Sequence, residues 1–454
     1  MSKLRQDGEQ RTPIEFADTW QKDAFGAVRM STPTNYISTV PLYHEFEHYY
    51  SSKVTGTGTF SIISGEPAIL FDCPAIGDEV IRQTKTWWSY QAGNSQLAEA
   101  TGVLDTNVGT ISEIGYYGDF TSDGNGFNGV ALGNDVNGET YICLYTSVPG
   151  LSHQKVYLNK NEWNGQDRDY IKYKLAGSGI NFAKAQIFAL DLEFLAVGRV
   201  RAGFYYAGKF WEAHTFDNAN KNTSPYMLTA SLPIRYYCKN VSRVGGASMK
   251  QICSTVKSEG GRDIFGVRQV IRSWNPGNPT YPTPYNAPTP IAITNGAYKD
   301  VLVFSPKSLF NTRPNRASVI PIAYSITVIG QGTACIEFLH GERSEIGSAL
   351  VVGAAWRDVS SSVHEPSCTE YLIASDFADG HANIYDAHVH GADFSSGDVK
   401  GSVSAGGTDF KSFVYLNRGL DHIDDADAGM YAFRVHALNA NIEIYIEASV
   451  LELY

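Results

Sequence analysis

The run His44-Glu45-Phe46-Glu47-His48 carries the most suggestive chemistry in the chain, because it satisfies the H-E-x-x-H spacing of zinc peptidases. That spacing works on a helix, where the i and i+4 histidines share a face and the Glu polarises a metal-bound water. Here Pro41 lies just upstream, Tyr43, Tyr49 and Tyr50 flank the run, and no third ligand follows at the expected distance. The expectation is therefore exposed or stacked histidines in an extended segment, with no zinc. A second cluster, Asp386-Ala387-His388-Val389-His390-Gly391-Ala392-Asp393, would put two imidazoles on one face of a strand, where a metal on a trimer axis could bind. A polar strand edge or loop is the plainer reading. The run from Asp119 through Asp123 to Gly126 lacks the Asp/Asn alternation and terminal Glu of an EF-hand, so it reads as a hairpin turn. Acid-rich Asp421 to Asp427 reads as a solvated loop. No spacing singles out a carboxylate pair for glycoside hydrolysis. The chain shows no G-x-S-x-G elbow, no P-loop and no dinucleotide fingerprint. No catalytic residue, cofactor or resident metal is expected.

The elements that would position such residues are strands. Phe188, Leu190, Leu192 and Phe194 recur every second residue with Asp191 and Glu193 between them, which predicts one buried and one wet face. Val200, Ala202, Phe204 and Tyr206 follow against Arg199 and Arg201, and Ala207-Gly208 predicts the next hairpin turn. The alternation of Ile442, Ile444, Ile446, Ala448 and Val450 with Glu443, Tyr445, Glu447 and Ser449 predicts a C-terminal strand within a sheet. Long helical periodicity is absent. The expected fold is all-β, an N-terminal extended arm followed by two antiparallel β-sandwiches of jelly-roll or lectin-like type. The arm spans 1–52, the first sandwich 53–262 and the second 291–454. A Pro-rich linker at 263–290 separates the sandwiches, because Pro removes ladder donors and fixes φ.

Composition agrees with this reading and excludes some functions. With 454 residues and 43% apolar content the chain is long enough for more than one core. Its 36 basic and 47 acidic residues give a net charge of −11, and no basic cluster is present, so nucleic acid is not an expected partner. The N-terminus lacks the apolar core of a signal peptide, and no run of about 18 apolar residues exists to insert in a membrane. Six dispersed cysteines without a C-x-x-C pair read as buried reduced thiols of a chain made in a cytoplasm. Trp87, Trp88, Trp163 and Trp211 could stack sugars, although their strand context favours core packing.

The segment Asp23-Ala24-Phe25-Gly26-Ala27-Val28-Arg29-Met30-Ser31-Thr32-Pro33 resembles the D-A-F-G-x-x-R-x-S-x-P signature of a family of virion structural proteins in tailed bacteriophages and other large DNA viruses. Further blocks resemble the same family, among them Val80 to Lys85, Tyr90 to Leu97, Ile114 to Asp119, Gln186 to Arg201, Thr223 to Met227, Leu232 to Arg235 and Lys250 to Ser254. Together they cover roughly residues 20 to 262. Ala27 and Met30 stand where the signature more often has larger or branched residues, and the chain after about 290 resembles nothing in the family. The resemblance implies a non-enzymatic component of a virus particle, assembled in the host cytoplasm, as a tail, fibre, baseplate or capsid-decorating part. Its expected partners are other virion proteins, its own copies as a homo-oligomer (a trimer favoured) and a host surface glycan. Within the arm, Phe25, Val28 and Met30 are the expected anchors, Arg29 a polar lock, and Asp23, Gly26 and Pro33 the rest of the tether. The alternative function is a carbohydrate-binding or polysaccharide-depolymerising surface protein.

Overall fold

The computed structural model describes residues 23–24, 28–29, 32–47, 49–119, 126–260, 266–273, 290–329, 332–342, 356–359, 366–373, 388–395, 398–401 and 429–453. Two β-sandwiches form, each around its own core, and the chain is all-β as expected. Helical turns among the described residues are confined to Arg168–Tyr173 and Leu175–Gly177.

In the first sandwich one sheet runs, in spatial order, Lys209–Asp217, Arg199–Tyr206, Gln186–Leu192, Gln96–Val103, Ala247–Ser258, Ile69–Cys73 and Thr59–Ile62. The facing sheet runs Gln154–Tyr157, Thr140–Tyr145, Phe127–Asn134, Thr110–Asp119, Ile234–Asn240, Glu79–Thr84 and Tyr50–Thr55. Alternation decides which side chains face inward. Phe188, Leu190 and Leu192 meet Ile114, Tyr116, Leu132 and Ile142 of the other sheet in a single apolar core. Each such buried side chain contributes about 1.5–3 kcal/mol. The Arg199–Tyr206 and Lys209–Asp217 strands join through Ala207 and Gly208, both at positive φ (52° and 76°), which is the two-residue turn that matches strand twist.

The sandwich begins earlier than the sequence reading placed it. Thr34–Thr39 pairs with Ser254–Ser258, and Tyr50–Thr55 pairs with Glu79–Thr84, so two strands of the expected arm belong to the two sheets. Ile37 enters the core and Tyr36 stacks on Trp88 with ring centroids 6.1 Å apart. Hydroxyl-rich Thr34–Thr39 does not look apolar, yet its one buried polar side chain, Thr39, is bonded. Thr39 Oγ1 lies 3.1 Å from Tyr50 Oη, which lies 2.6 Å from Ser254 Oγ.

The second sandwich has one sheet in the order Val267–Arg272, Ile442–Leu453, Ser318–Ile329 and Asp398–Gly401, with Ile291–Ile293 also on Ile442–Leu453. The other runs Arg357–Asp358, Thr369–Ile373, Tyr298–Pro306, Gly429–Ala437, Ala334–Glu342 and His388–Ser395. Ile442, Ile444, Ile446, Ala448 and Val450 all face its core, as their alternation predicts. Val267–Arg272 was expected in the linker. It is a strand on the sheet edge with one buried side chain, Ile271, which explains its weak pattern. The Pro-rich residues 274–289 lie outside the described residues.

Candidate functional site

The signature segment reaches the first sandwich at a cluster of charges. Gln186–Leu192 presents Asp191 on the face away from the apolar core, opposite Arg201 of the neighbouring strand. Arg29 Nη2 donates to Asp191 Oδ2 at 2.6 Å, and Arg29 Nη1 to Glu259 Oε1. Arg201 Nε donates to Asp191 Oδ2 at 3.1 Å and its Nη2 bonds the same oxygen, while Ser95 Oγ donates to Oδ1. Asp191 was expected on a wet face, but its side chain is fully buried, and Arg201 and Arg29 are nearly so. The covering comes from Arg29, 162 positions away in sequence. Arg29, expected as a polar lock of an oligomerisation arm, here holds two carboxylates of its own chain. Of the other expected tether residues, Asp23 is half-buried, Val28 is 44% exposed and Pro33 is exposed. Phe25, Gly26 and Met30 lie outside the described residues.

Four carboxylates crowd this point. Burial, then the charges of Asp23 and Asp191, pushes the Glu193 carboxyl up to about 7, against the pull of Arg199 and Arg201. Burial also raises Glu259, opposed by Arg29. A carboxyl whose pKa is higher in the folded state contributes stability that is fully present below its ordinary range near 4.5 and lost as pH rises through about 7. Ionised Glu193 then repels Asp23. Hydrogen exchange of residues 23–39 is accordingly expected to accelerate between pH 6 and 8 beyond its intrinsic pH dependence. Glu193→Gln should remove that excess, and an unchanged excess in the variant would refute the assignment.

The H-E-x-x-H segment is not helical. Residues 40–47 form a bent loop in which Phe46 takes φ 57°, an unfavourable region for an aromatic residue that costs of order 1 kcal/mol. His44 is exposed, its Nδ1 accepts the Phe46 amide at 3.2 Å, and its ring meets Phe46 edge-on at 4.3 Å. His48 lies outside the described residues. The loop is held by fully buried Arg82, between the Tyr50 and Phe60 rings, each 5.0 Å from its guanidinium carbon. Arg82 Nη2 donates to the Glu45 carbonyl, Nη1 to Ser52 Oγ at 3.0 Å and Nε to Gln251 Oε1 at 3.0 Å. A hollow of about 410 Å³ opens on this loop, lined by Tyr43, His44, Glu45, Phe46, Glu47 and Ile62.

The remaining candidates separate. Trp87, Trp88 and Trp163 are core residues, 2%, 4% and 1% exposed, so they stack no sugar. Half-buried Trp211 lies flat on Tyr170 at 3.9 Å. His388–Ser395 is a strand, with His388 opposite His340, whereas Asp386, residues 120–125 and Asp421 to Asp427 lie outside the described residues. Among the described residues no three His, Cys, Asp or Glu side chains converge as metal ligands. The six cysteines are free, and five of them are buried. No described helix is long and apolar enough to cross a membrane.

No protein-family model matches the chain, and no curated protein matches it. Among solved structures, the chain is similar to a legume lectin-like domain from Entamoeba histolytica at 9% identity, covering 46% of this chain and 89% of that one, with a TM-score of 0.28. It is also similar to a β-glucanase of Bacillus licheniformis at 13% identity, over 50% and 98% of the two chains, with a TM-score of 0.30. A conserved carbohydrate esterase from the Shiga toxin-encoding bacteriophage phi24B matches at 9% identity, over 50% and 100%, with a TM-score of 0.30. These are likenesses of chain path. What those proteins bind or cleave remains theirs.

One constellation was missed by sequence reasoning. On the face of the second sheet turned away from the core, Glu113 accepts the Tyr117 hydroxyl at 2.7 Å, the Tyr145 hydroxyl at 2.5 Å and that of Tyr141. Tyr117 and Tyr145 stack at 5.2 Å, and Tyr141 lies across Gly133, where a Cβ would come within 2.6 Å of its ring. The Arg235 guanidinium covers Phe127 and Tyr117 at 5.0 and 5.6 Å. Burial, then the Glu113 charge, raises the pKa of all three phenols, so they remain proton donors. With its carboxylate occupied by three donors, Glu113 acts as a keystone of an aromatic floor.

Proposed function

We propose that the chain is a non-enzymatic structural protein of a virus particle, placed on its exterior and joined to its own copies. The observation that supports this most strongly is where the blocks of the family resemblance meet. Arg29 of the opening signature, Ser95 of the Tyr90 to Leu97 block, and Asp191 and Arg201 of the Gln186 to Arg201 block bond to one another in a single buried cluster. The Lys250 to Ser254 block lies in the strand that receives Thr34–Thr39. Residues from separate blocks that saturate each other's polar groups tie those blocks into one fold, so the resemblance covers a single folded unit.

The proposed oligomer is a homotrimer. The Thr34–Thr39 strand is tied to the sandwich by its ladder on Ser254–Ser258 and by Arg29, and residues 40–49 separate it from the next strand. The same ladder and ion pairs form equally well with a neighbouring copy if the segment is exchanged. A cut at residue 52 would remove the Thr34–Thr39 strand and the first half of Tyr50–Thr55, so a point change is the cleaner probe. The full-length chain should sediment as a trimer and Arg29→Ala should shift it toward monomer. The particle assignment is tested by locating the chain in purified, salt-washed virions. Repeated copies with two sandwiches outside the shell are expected, and absence from washed particles would overturn the reading.

A further inference from the structure

The 40–47 loop combines features that a merely connecting loop does not need. Tyr43 is 88% exposed and Leu42 51%, beside a hollow lined by Glu45, Phe46 and Glu47. Neighbouring exposed aromatic and aliphatic side chains beside a hollow are the kind of surface that a partner covers. The strained Phe46 backbone and the Arg82 clamp fix the loop before any ligand arrives, which lowers the ordering cost of binding. Its volume, about 410 Å³, is within the range of small-molecule sites and suits one sugar ring.

We propose that this hollow binds a saccharide unit that carries no negative charge. The Tyr43 ring offers a face for the C–H side of a pyranose, and Glu45 and Glu47 accept hydrogen bonds from its hydroxyl or amino groups. The two carboxylates outnumber the Arg82 guanidinium beside them and repel a uronic or sialic acid brought to the site. The segment whose spacing argued for no zinc site is thereby a lectin-type contact on a loop edge. It adds a host-contact function to the particle protein without depending on that assignment, since the hollow shares no residue with the Arg29 cluster.

The test uses the full-length chain and three probes, laminaritriose, glucosamine trimer and sialyllactose, titrated by calorimetry and by saturation-transfer NMR. At least one of the two carboxylate-free probes should bind, with sialyllactose at least tenfold weaker. Tyr43→Ala should weaken binding tenfold or more at an unchanged melting temperature, Tyr43→Phe should retain it, and Glu47→Gln should narrow the gap to sialyllactose. Binding of none of the probes, equal binding of sialyllactose, or an unaltered Tyr43→Ala variant would each overturn the proposal. Such a failure leaves the virion location untouched, and a chain absent from virions could still bind the probes.

Discussion

Asp191→Ala is expected to destabilise the first sandwich by about 3–5 kcal/mol, the cost of leaving a buried ion pair without one partner. The residue is fully buried and serves two guanidinium groups, Arg29 and Arg201, whose side chains are 11% and 6% exposed. Removing the carboxylate leaves two cations close together with little water to screen them. Glu259 still offers Arg29 a partner, and Glu212 lies 3.9 Å from Arg201, which keeps the loss finite. Arg29→Met should cost less, because Arg201 and Ser95 continue to satisfy Asp191. The comparison is made by urea denaturation, following the first sandwich through tyrosine and tryptophan fluorescence. A loss below about 1 kcal/mol for Asp191→Ala would mean that water reaches the cluster, and the lock would have to be abandoned. The double variant Asp191→Leu/Arg201→Met should recover part of the loss, since an apolar pair of similar volume carries no desolvation penalty.

The same cluster shows where sequence was legible and where it was not. Phe188, Leu190 and Leu192 declared a strand by period alone, and they do face the core. The intervening Asp191 was read as wet because its covering residue is far away in sequence, and no local pattern encodes a contact across 162 positions. Thr34–Thr39 was placed in an arm for a related reason. Its alternating burial has only two fully buried positions, Ile37 and Thr39, and the latter is buried by hydrogen bonding. Val267–Arg272 has one buried residue, as an edge strand does, and the prolines that follow it drew the linker boundary too early.

The H-E-x-x-H run teaches the complementary point. Its residues suggested chemistry by spacing, and Pro41 with its aromatic neighbours correctly argued against the helix that the spacing requires. What sequence could not show is that a strand residue, Arg82, reaches into that loop and holds it in place. Arg82 sits in Glu79–Thr84, whose burial on both faces leaves no alternation to read. Buried polar groups in this chain therefore work by joining segments. Arg29 fastens the signature, Arg82 fastens the aromatic loop, and Glu113 fastens an outer sheet face.

Glu113 carries the second large expected effect. Its carboxylate is the shared acceptor for hydroxyls contributed from residues 117, 141 and 145, two of them belonging to side chains that are 2% and 1% exposed. Glu113→Ala leaves those hydroxyls without their acceptor. Each buried, unsatisfied hydroxyl costs about 1–3 kcal/mol, so a total of about 3–5 kcal/mol is expected once the half-buried Tyr145 finds water. Glu113→Gln keeps an acceptor oxygen but adds an amide that must find its own partner, and should cost about 1–2 kcal/mol. The floor itself is the sharper readout. Tyr117 and Tyr145 stand in a 20° stack with both hydroxyls converging on one carboxylate, which is expected to hold the stack. The near-ultraviolet dichroism of tyrosine should therefore fall in Glu113→Ala under conditions where the far-ultraviolet signal of the sheets persists. If stability and the tyrosine signal both stay at wild-type values, stacking alone orders the floor, and Glu113 is not its keystone.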